Sequence, residues 1–201
     1  MKKRTHKGSR KTSETNIKWE ISLDGSGKSK INTGIAFLDH MLTLFAKHGL
    51  FDLKIDAKGD LEVDIHHTNE DIGLCLGEAV KQALGDKKGI KRFATVFVPM
   101  DEALARVVMD ISGRPSLTFN QTGGHVHDKE ESKEEYTLID AKHFLYSFCN
   151  RSGINMHIDI KYGEDLHHML EATFKAFGKA LDEATQIDPR VKGIPSTKGK
   201  L

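Results

Sequence analysis

The sequence predicts an internally duplicated α+β protein, with helices on one face of each of two mostly antiparallel sheets. Three observations carry that expectation. First, His66-His67-Thr68-Asn69-Glu70 returns 101 residues later as His167-His168-Met169-Leu170-Glu171. Each copy runs into an apolar series of helical period: Ile72, Leu76, Ala79, Val80, Ala83 and Leu84 in one, Met169, Leu170, Phe174, Phe177 and Leu181 in the other. Second, the upstream run His40-Met41-Leu42-Thr43-Leu44-Phe45, ending at Gly49, returns 103 residues later as His143-Phe144-Leu145-Tyr146-Ser147-Phe148, ending at Gly153. The small drift in offset is what loop insertions produce in a doubled unit. Third, strand and helix patterns follow one order in both halves, about 12–99 and 100–190. The long βαβ crossovers and Gly-rich first turn of a nucleotide-binding parallel sheet are not expected.

The elements follow in order. Residues 1–11 hold six Lys/Arg and no acid, and read as a solvated arm. Residues 15–23 alternate Ile17, Trp19, Ile21 and Leu23 as a strand, and Asp24-Gly25-Ser26-Gly27 reads as a hairpin turn. A helix spans 34–48, with Gly49 in the C′ position, then a strand at 50–56. Leu61, Val63 and Ile65 share one face of an alternating strand, and a helix spans 70–85. Further strands fall at 92–98, 103–111 and 115–120; 121–135, rich in Gly and charge, reads as an exposed hairpin tip. A helix at 140–152 leads to a strand with Asn155, His157 and Asp159 opposite Met156, Ile158 and Ile160, then to a helix at 164–185. Residues 186–201 read as a basic, irregular tail.

Thirty Lys+Arg against 29 Asp+Glu leave a formal charge of +1 over 201 residues, which argues against a protein built to coat nucleic acid or an anionic membrane. No apolar stretch approaches the roughly 20 residues of a membrane span, and no apolar segment follows the basic start. Cys75 and Cys149 lie in apolar helical runs, where small buried thiols in a reducing, cytoplasmic setting are the ordinary reading.

The chemistry is concentrated in the histidines, eleven in all. On a helix, residues i and i+4 share a face while i and i+1 diverge by about 100°. His66 with Glu70, and His167 with Glu171, can therefore reach one ion each, whereas His67 and His168 must look elsewhere. The economical arrangement is two ions, each taking a His-Glu pair from one signature and the leftover histidine of the other. His40 and His143 add one imidazole apiece, giving three imidazoles and one carboxylate per ion, with positions left open for substrate. Such ligands suit Mn, Fe, Co, Ni or Zn. His6, His125 and His127 read as solvated, and His157 as structural or interfacial. Arg92, Arg114 in Ser112-Gly113-Arg114-Pro115, and Ser196-Thr197-Lys198-Gly199-Lys200 combine donors suited to a phosphate. A two-metal phosphoester hydrolase and a metal-glued assembly protein are the competing readings.

The stretches FLDHMLTLFAKHG, GDLEVDIHHTNEDIGLCLGEA, VPMDEALARVVMDISGRP, HHMLEATFKAFGKAL and PSTKG resemble the imidazoleglycerol-phosphate dehydratases of histidine biosynthesis, from about Glu14 to Leu201. That family more usually has an aliphatic residue at the place of Asn69, Tyr-Gly at Phe93-Ala94, and Asn at Asp165. The resemblance implies a ferredoxin-like duplicated fold (ribosomal protein S5 domain 2-like) and a homo-oligomeric shell of 24 subunits. It also implies two Mn2+ per active site at subunit interfaces and a small phosphorylated imidazole as substrate. Carried over by position, one ion takes His40, His67, His167 and Glu171, the other His66, Glu70, His143 and His168. Substrate contacts fall on Glu14, His40, His48, Arg92, Arg114, Lys175, Ser196, Thr197 and Lys198. The implied reaction is dehydration to imidazole acetol phosphate. Ions on both ring nitrogens acidify the ring N–H, the ring then expels the adjacent hydroxide through a diazafulvene-like species, and Glu14 or water moves the neighbouring C–H proton.

Overall fold

A computed structural model describes residues 3–121 and 136–201. Its elements are β1 (Thr5–Lys11), β2 (Thr15–Ser22), β3 (Ser29–Asn32), α1 (Ala36–His48), β4 (Asp52–Gly59), α2 (His66–Leu84), β5 (Phe93–Met100), β6 (Ala103–Asp110), β7 (Ser116–Gln121), α3 (Leu138–Ser152), β8 (Asn155–Tyr162) and α4 (Leu166–Thr185). They form two four-stranded sheets in the orders β1-β2-β4-β3 and β5-β6-β8-β7, the same pattern shifted by four strands. The duplicated α+β, ferredoxin-like arrangement is thus present. The change from one sheet to the other falls between α2 and β5, so β5 opens the second unit.

Alternation builds the sheets. In β2 every second residue from Thr15 to Ile21 is buried, and β6 repeats this with Ala103, Ala105, Val107 and Met109, so one face of each sheet meets the helices. The helices then meet each other, α1 against α4 and α2 against α3, and one continuous apolar core spans both units. Equivalent glycines set these crossings. A Cβ on Gly77 would stand 2.6 Å from the Phe148 carbonyl oxygen, and one on Gly178 would stand 2.4 Å from that of Phe45. Gly178→Ala should therefore cost about 1–3 kcal/mol, because two helix backbones must separate; a lower denaturant midpoint with an unchanged slope would show it. Both thiols are buried, and burial pushes each up to about 12.

Several expectations are corrected. Residues 5–11 are an edge strand, paired antiparallel with β2 from Thr5 opposite Ser22 to Lys11 opposite Asn16. A lysine-rich run suits an edge, since its charges point to water while its backbone completes the ladder. His6 is not merely solvated, because Trp19 Nε1 donates to its Nδ1 at 3.3 Å. The turn at Asp24–Gly27 joins no hairpin. β3 pairs instead with β4, and in parallel, so β3-α1-β4 is a crossover, as is β7-α3-β8. A four-residue strand of half-polar sequence gives too weak a period to be legible. Residues 61–65 form a turn rather than a strand, with the Val63 N–H donating to the Asp60 carbonyl. Among the described residues no neighbouring strand pairs with this segment, and Val63 is 69 % exposed. α2 consequently begins at His66, not 70. Gly49 has φ −86 and is not left-handed; it is small because a Cβ there would stand 2.3 Å from the Phe51 ring and 2.7 Å from the Gly178 carbonyl oxygen. The hairpin tip proposed for 121–135, with His125 and His127, lies beyond the described residues apart from Gln121, which ends β7. Residues 186–201 are irregular but docked: Gly89 N–H donates to the Gly193 carbonyl, and Leu201 packs on Gly113.

Candidate metal centre

The helix starts carry the ligand-type residues. His66 and His67 occupy the first turn of α2, and His167 and His168 that of α4. Asp165 is the N-cap of α4, its side chain accepting from the His167 N–H at 2.7 Å, which accounts for an acid just ahead of the histidine pair. With both signatures helical, the i,i+4 geometry applies to each.

The first cluster joins α1 and α4. Glu171 Oε1 lies 2.9 Å from His40 Nε2 and 3.1 Å from His167 Nε2, and among the described residues these three side chains form the one group of ligand atoms within 4.8 Å of one another. Lys175 Nζ donates to Glu171 Oε2 at 2.5 Å. Burial alone would raise the Glu171 carboxyl, but Lys175, His40 and His167 outweigh it and hold it down at about 2. The group is thus a carboxylate, with two imidazoles turned toward one point. His48, at the end of α1, is lowered by burial and then by the charges of Lys175 and Lys179.

The second cluster is its counterpart on α2 and α3. His66 Nε2 stands 3.4 Å from Glu70 Oε2, and the His66 and His143 rings are 5.0 Å apart. Asn69, fully buried, clamps these helices together: its amide donates to the Asp140 carbonyl, one turn before His143, and its oxygen accepts from the Tyr136 hydroxyl at 2.9 Å. Phe37 stacks on Tyr136 and meets His167 edge-on, so a packed path runs from one cluster to the other. Both ends of the buried Asn69 amide are thus satisfied.

His67 and His168 join neither cluster. The His67 Nδ1 lies 3.0 Å from Asp60 Oδ2, and the His168 Nδ1 lies 2.7 Å from Glu102 Oε2. Each acid raises its histidine by that hydrogen bond, while Glu102 is held at about 2, first by the Asp165 backbone N–H and then by His168. Sequence reasoning missed Asp60 and Glu102, since neither belongs to the HHxxE signatures; the signal available was that Glu102 stands just ahead of β6 as Glu14 stands just ahead of the equivalent β2.

Glu14 sits on a turn held by Thr12 Oγ1, which accepts from the Glu14 and Thr15 N–H groups, and by the buried Asp71, which accepts from Thr15 Oγ1 and Arg10 Nε. Its charge acts on His67. The phosphate-type residues gather elsewhere. Arg92 bonds Asp110 through Nε at 2.7 Å and the Pro195 carbonyl through Nη1 at 2.8 Å, so it anchors the tail at Ser196, Thr197 and Lys198. Those residues form a turn closed by the Gly199 N–H on the Ser196 carbonyl. Arg114 follows the left-handed Gly113, on which Leu201 rests. The Arg92 N–H donates to the Ala184 carbonyl near the end of α4, on the order of 24 Å along that helix from His168 at 1.5 Å per residue.

The family model described as imidazoleglycerol-phosphate dehydratase matches residues 33–181. The imidazoleglycerol-phosphate dehydratase of Geobacillus thermodenitrificans is 55 % identical over 192 residues, covering 96 % of each chain, and that of Geobacter metallireducens is 52 % identical over the same length. Among solved structures, the Staphylococcus aureus enzyme superposes with a TM-score of 0.78 at 38 % identity, over 92 % of this chain and 99 % of that one. The Pyrococcus furiosus enzyme, in complex with (S)-C348, gives the same TM-score and identity over 96 % and 100 %. Among the described residues, no helix is long and apolar enough to cross a membrane.

Proposed function

The chain belongs to the imidazoleglycerol-phosphate dehydratase family, a family of hydro-lyases of histidine biosynthesis, and from that premise we propose that it dehydrates imidazoleglycerol phosphate to imidazole acetol phosphate with two Mn2+ per active site. The observation that carries the metal reading is the cluster His40/His167/Glu171, whose ligand atoms lie within 4.8 Å of one another, supported by its looser repeat-related counterpart His66/Glu70/His143. Such donors, free of thiolate, fit a divalent first-row ion with open positions.

Among the described residues, each cluster lacks the third imidazole that an octahedral site of this type would take, and His67 and His168 stand apart on their own carboxylates. A second copy of the chain supplies them in this reading: His67 completes His40/His167/Glu171, and His168 completes His66/Glu70/His143. The Arg92 backbone meets α4 at Ala184, the end of the helix away from its metal cluster, and Arg92 holds the tail at Pro195; in this reading Arg92, Arg114, Ser196, Thr197 and Lys198 grip the phosphate of a substrate held at a neighbour's ions. The active unit is then a homo-oligomer with sites at subunit interfaces, in line with a 24-subunit shell.

When bound, the ions would supply the positive charge that acidifies the substrate's ring N–H, so that the ring can drive out the neighbouring hydroxyl. The chain's own residues do the rest. Glu171 and Glu70 bring negative charge to the two clusters, and Lys175 fixes the Glu171 carboxylate. Arg92, beyond holding the tail, retains N–H donors for phosphate, together with Arg114, Ser196 and Lys198. Glu14, an exposed carboxylate on a braced turn, accepts or returns the proton at the carbon next to the lost hydroxyl.

One assay tests this: purified protein, Mn2+ and imidazoleglycerol phosphate, with ketone and free phosphate scored together. Ketone without phosphate is expected; phosphate release would favour a hydrolase, and metal uptake with no product would leave only an assembly role. A substrate methylated on one ring nitrogen should bind yet not turn over. Dehydration of that compound at a normal rate would remove ring deprotonation from the mechanism.

A further inference from the structure

We propose that Glu102 and Asp60 are positioning residues that fix the tautomer of the two outward-facing imidazoles, so that Nε2 of His168 and of His67 offers its lone pair to an ion in a neighbouring copy. The inference rests on the two-ion reading above. A carboxylate can only accept, so a ring nitrogen within hydrogen-bond distance of it carries the proton. Both contacts are through Nδ1, at 2.7 Å for His168 and 3.0 Å for His67, which leaves Nε2 as the ligand atom in each. For a ligand completed in trans this matters, because the ring must be oriented before the partner arrives; its own chain's ion does not hold it.

The two acids are not equally fixed. Glu102 sits on the β5–β6 turn, and its Oε1 accepts from the Asp165 N–H at 2.9 Å and the Glu164 N–H at 3.2 Å, while Oε2 alone faces His168. Asp101 Oδ2 stands 3.8 Å from His168 Nε2. Asp60 has its Oδ2 on His67, but its Oδ1 is buried and has no hydrogen-bond partner among the described residues, so none of them decides which way round an amide would sit there.

That asymmetry gives the test. In Glu102→Gln the amide oxygen must face the two backbone donors, which turns the NH2 group onto His168 Nδ1. The ring must then accept at Nδ1 and carry its proton on Nε2, where the ion should bind. In Asp60→Asn the amide oxygen can face His67 and the tautomer survives. Equilibrium dialysis of the assembled protein against Mn2+, with metal analysis, should find two ions per chain in the wild type. Glu102→Gln should bind one of them at least about 10-fold more weakly, within the usual 10–100-fold range for residues behind a ligand, and the other unchanged. Asp60→Asn should keep both within a few-fold, whereas Asp60→Ala should weaken one. The melting temperature of the metal-free protein should hardly move in Glu102→Gln. A wild type that takes up no pair of ions overturns the two-ion reading itself. A wild type with two ions, and a Glu102→Gln variant with two held equally well, overturns the positioning role. Equal weakening of both ions, together with a fall in the metal-free melting temperature, also overturns it, by marking Glu102 as merely structural.

Discussion

Co-assembled His66→Ala and His168→Ala chains are expected to dehydrate imidazoleglycerol phosphate although neither variant does so alone. Each variant should also bind about one ion fewer per chain. His66 faces Glu70 and His143 within its own chain, whereas His168 rests on Glu102 and Asp101. If the ion is shared between copies, a cluster from a His168→Ala chain and an imidazole from a His66→Ala chain make an intact site. Random pairing across a symmetric assembly leaves about a quarter of such sites whole. The two purified variants would be mixed in denaturant, refolded together and assayed beside identically treated wild type. A mixture of His66→Ala with Glu70→Ala serves as the control, since both damage the same cluster and no pairing repairs it. No recovery in the test mixture, with wild type recovering under the same treatment, would place all four ligands in one chain, and recovery in the control would instead divide His66 and Glu70 between chains.

Glu171→Gln should lower kcat/KM by roughly three orders of magnitude, the scale for loss of a charged group that acts on the transition state. One bound ion per chain should go with it. The Glu171 carboxylate lies 2.9 Å from His40, 3.1 Å from His167 and 2.5 Å from Lys175. Neutralising it removes the negative ligand and leaves the Lys175 ammonium, 14 % exposed, without its counter-charge beside the place of a cation. Metal analysis and a melting curve distinguish this from unfolding. Full metal content in a folded Glu171→Gln protein would remove Glu171 from the ligand set.

The duplication was legible because it is written in repeated residues. Two HHxxE signatures, each ahead of an apolar helical run, gave the helices, their order and the partition of histidines into i,i+4 pairs and leftovers, all of which are local matters of helical geometry. The sequence misled wherever an element owes its form to a distant partner. Residues 61–65 alternate like a strand yet find no pairing neighbour among the described residues, while the basic residues 5–11 pair with β2 in spite of their charge. The short β3 is a strand only because β4 lies beside it.

For the site the division is the same. Residue spacing by itself determined that His66 belongs with Glu70 and His167 with Glu171, and that the histidine after each must point away, since 100° per residue allows nothing else. The repeat also named His40 and His143 as the added imidazoles, and the structure sets them beside those pairs; only the tertiary structure decided that Asp60 and Glu102 hold the two outward imidazoles, and that Arg92 and the tail it anchors lie at the far end of α4. Those contacts join residues brought together by the crossing of helices and the docking of the tail, and no periodicity along the chain records which distant side chains a folded core will bring within hydrogen-bond range.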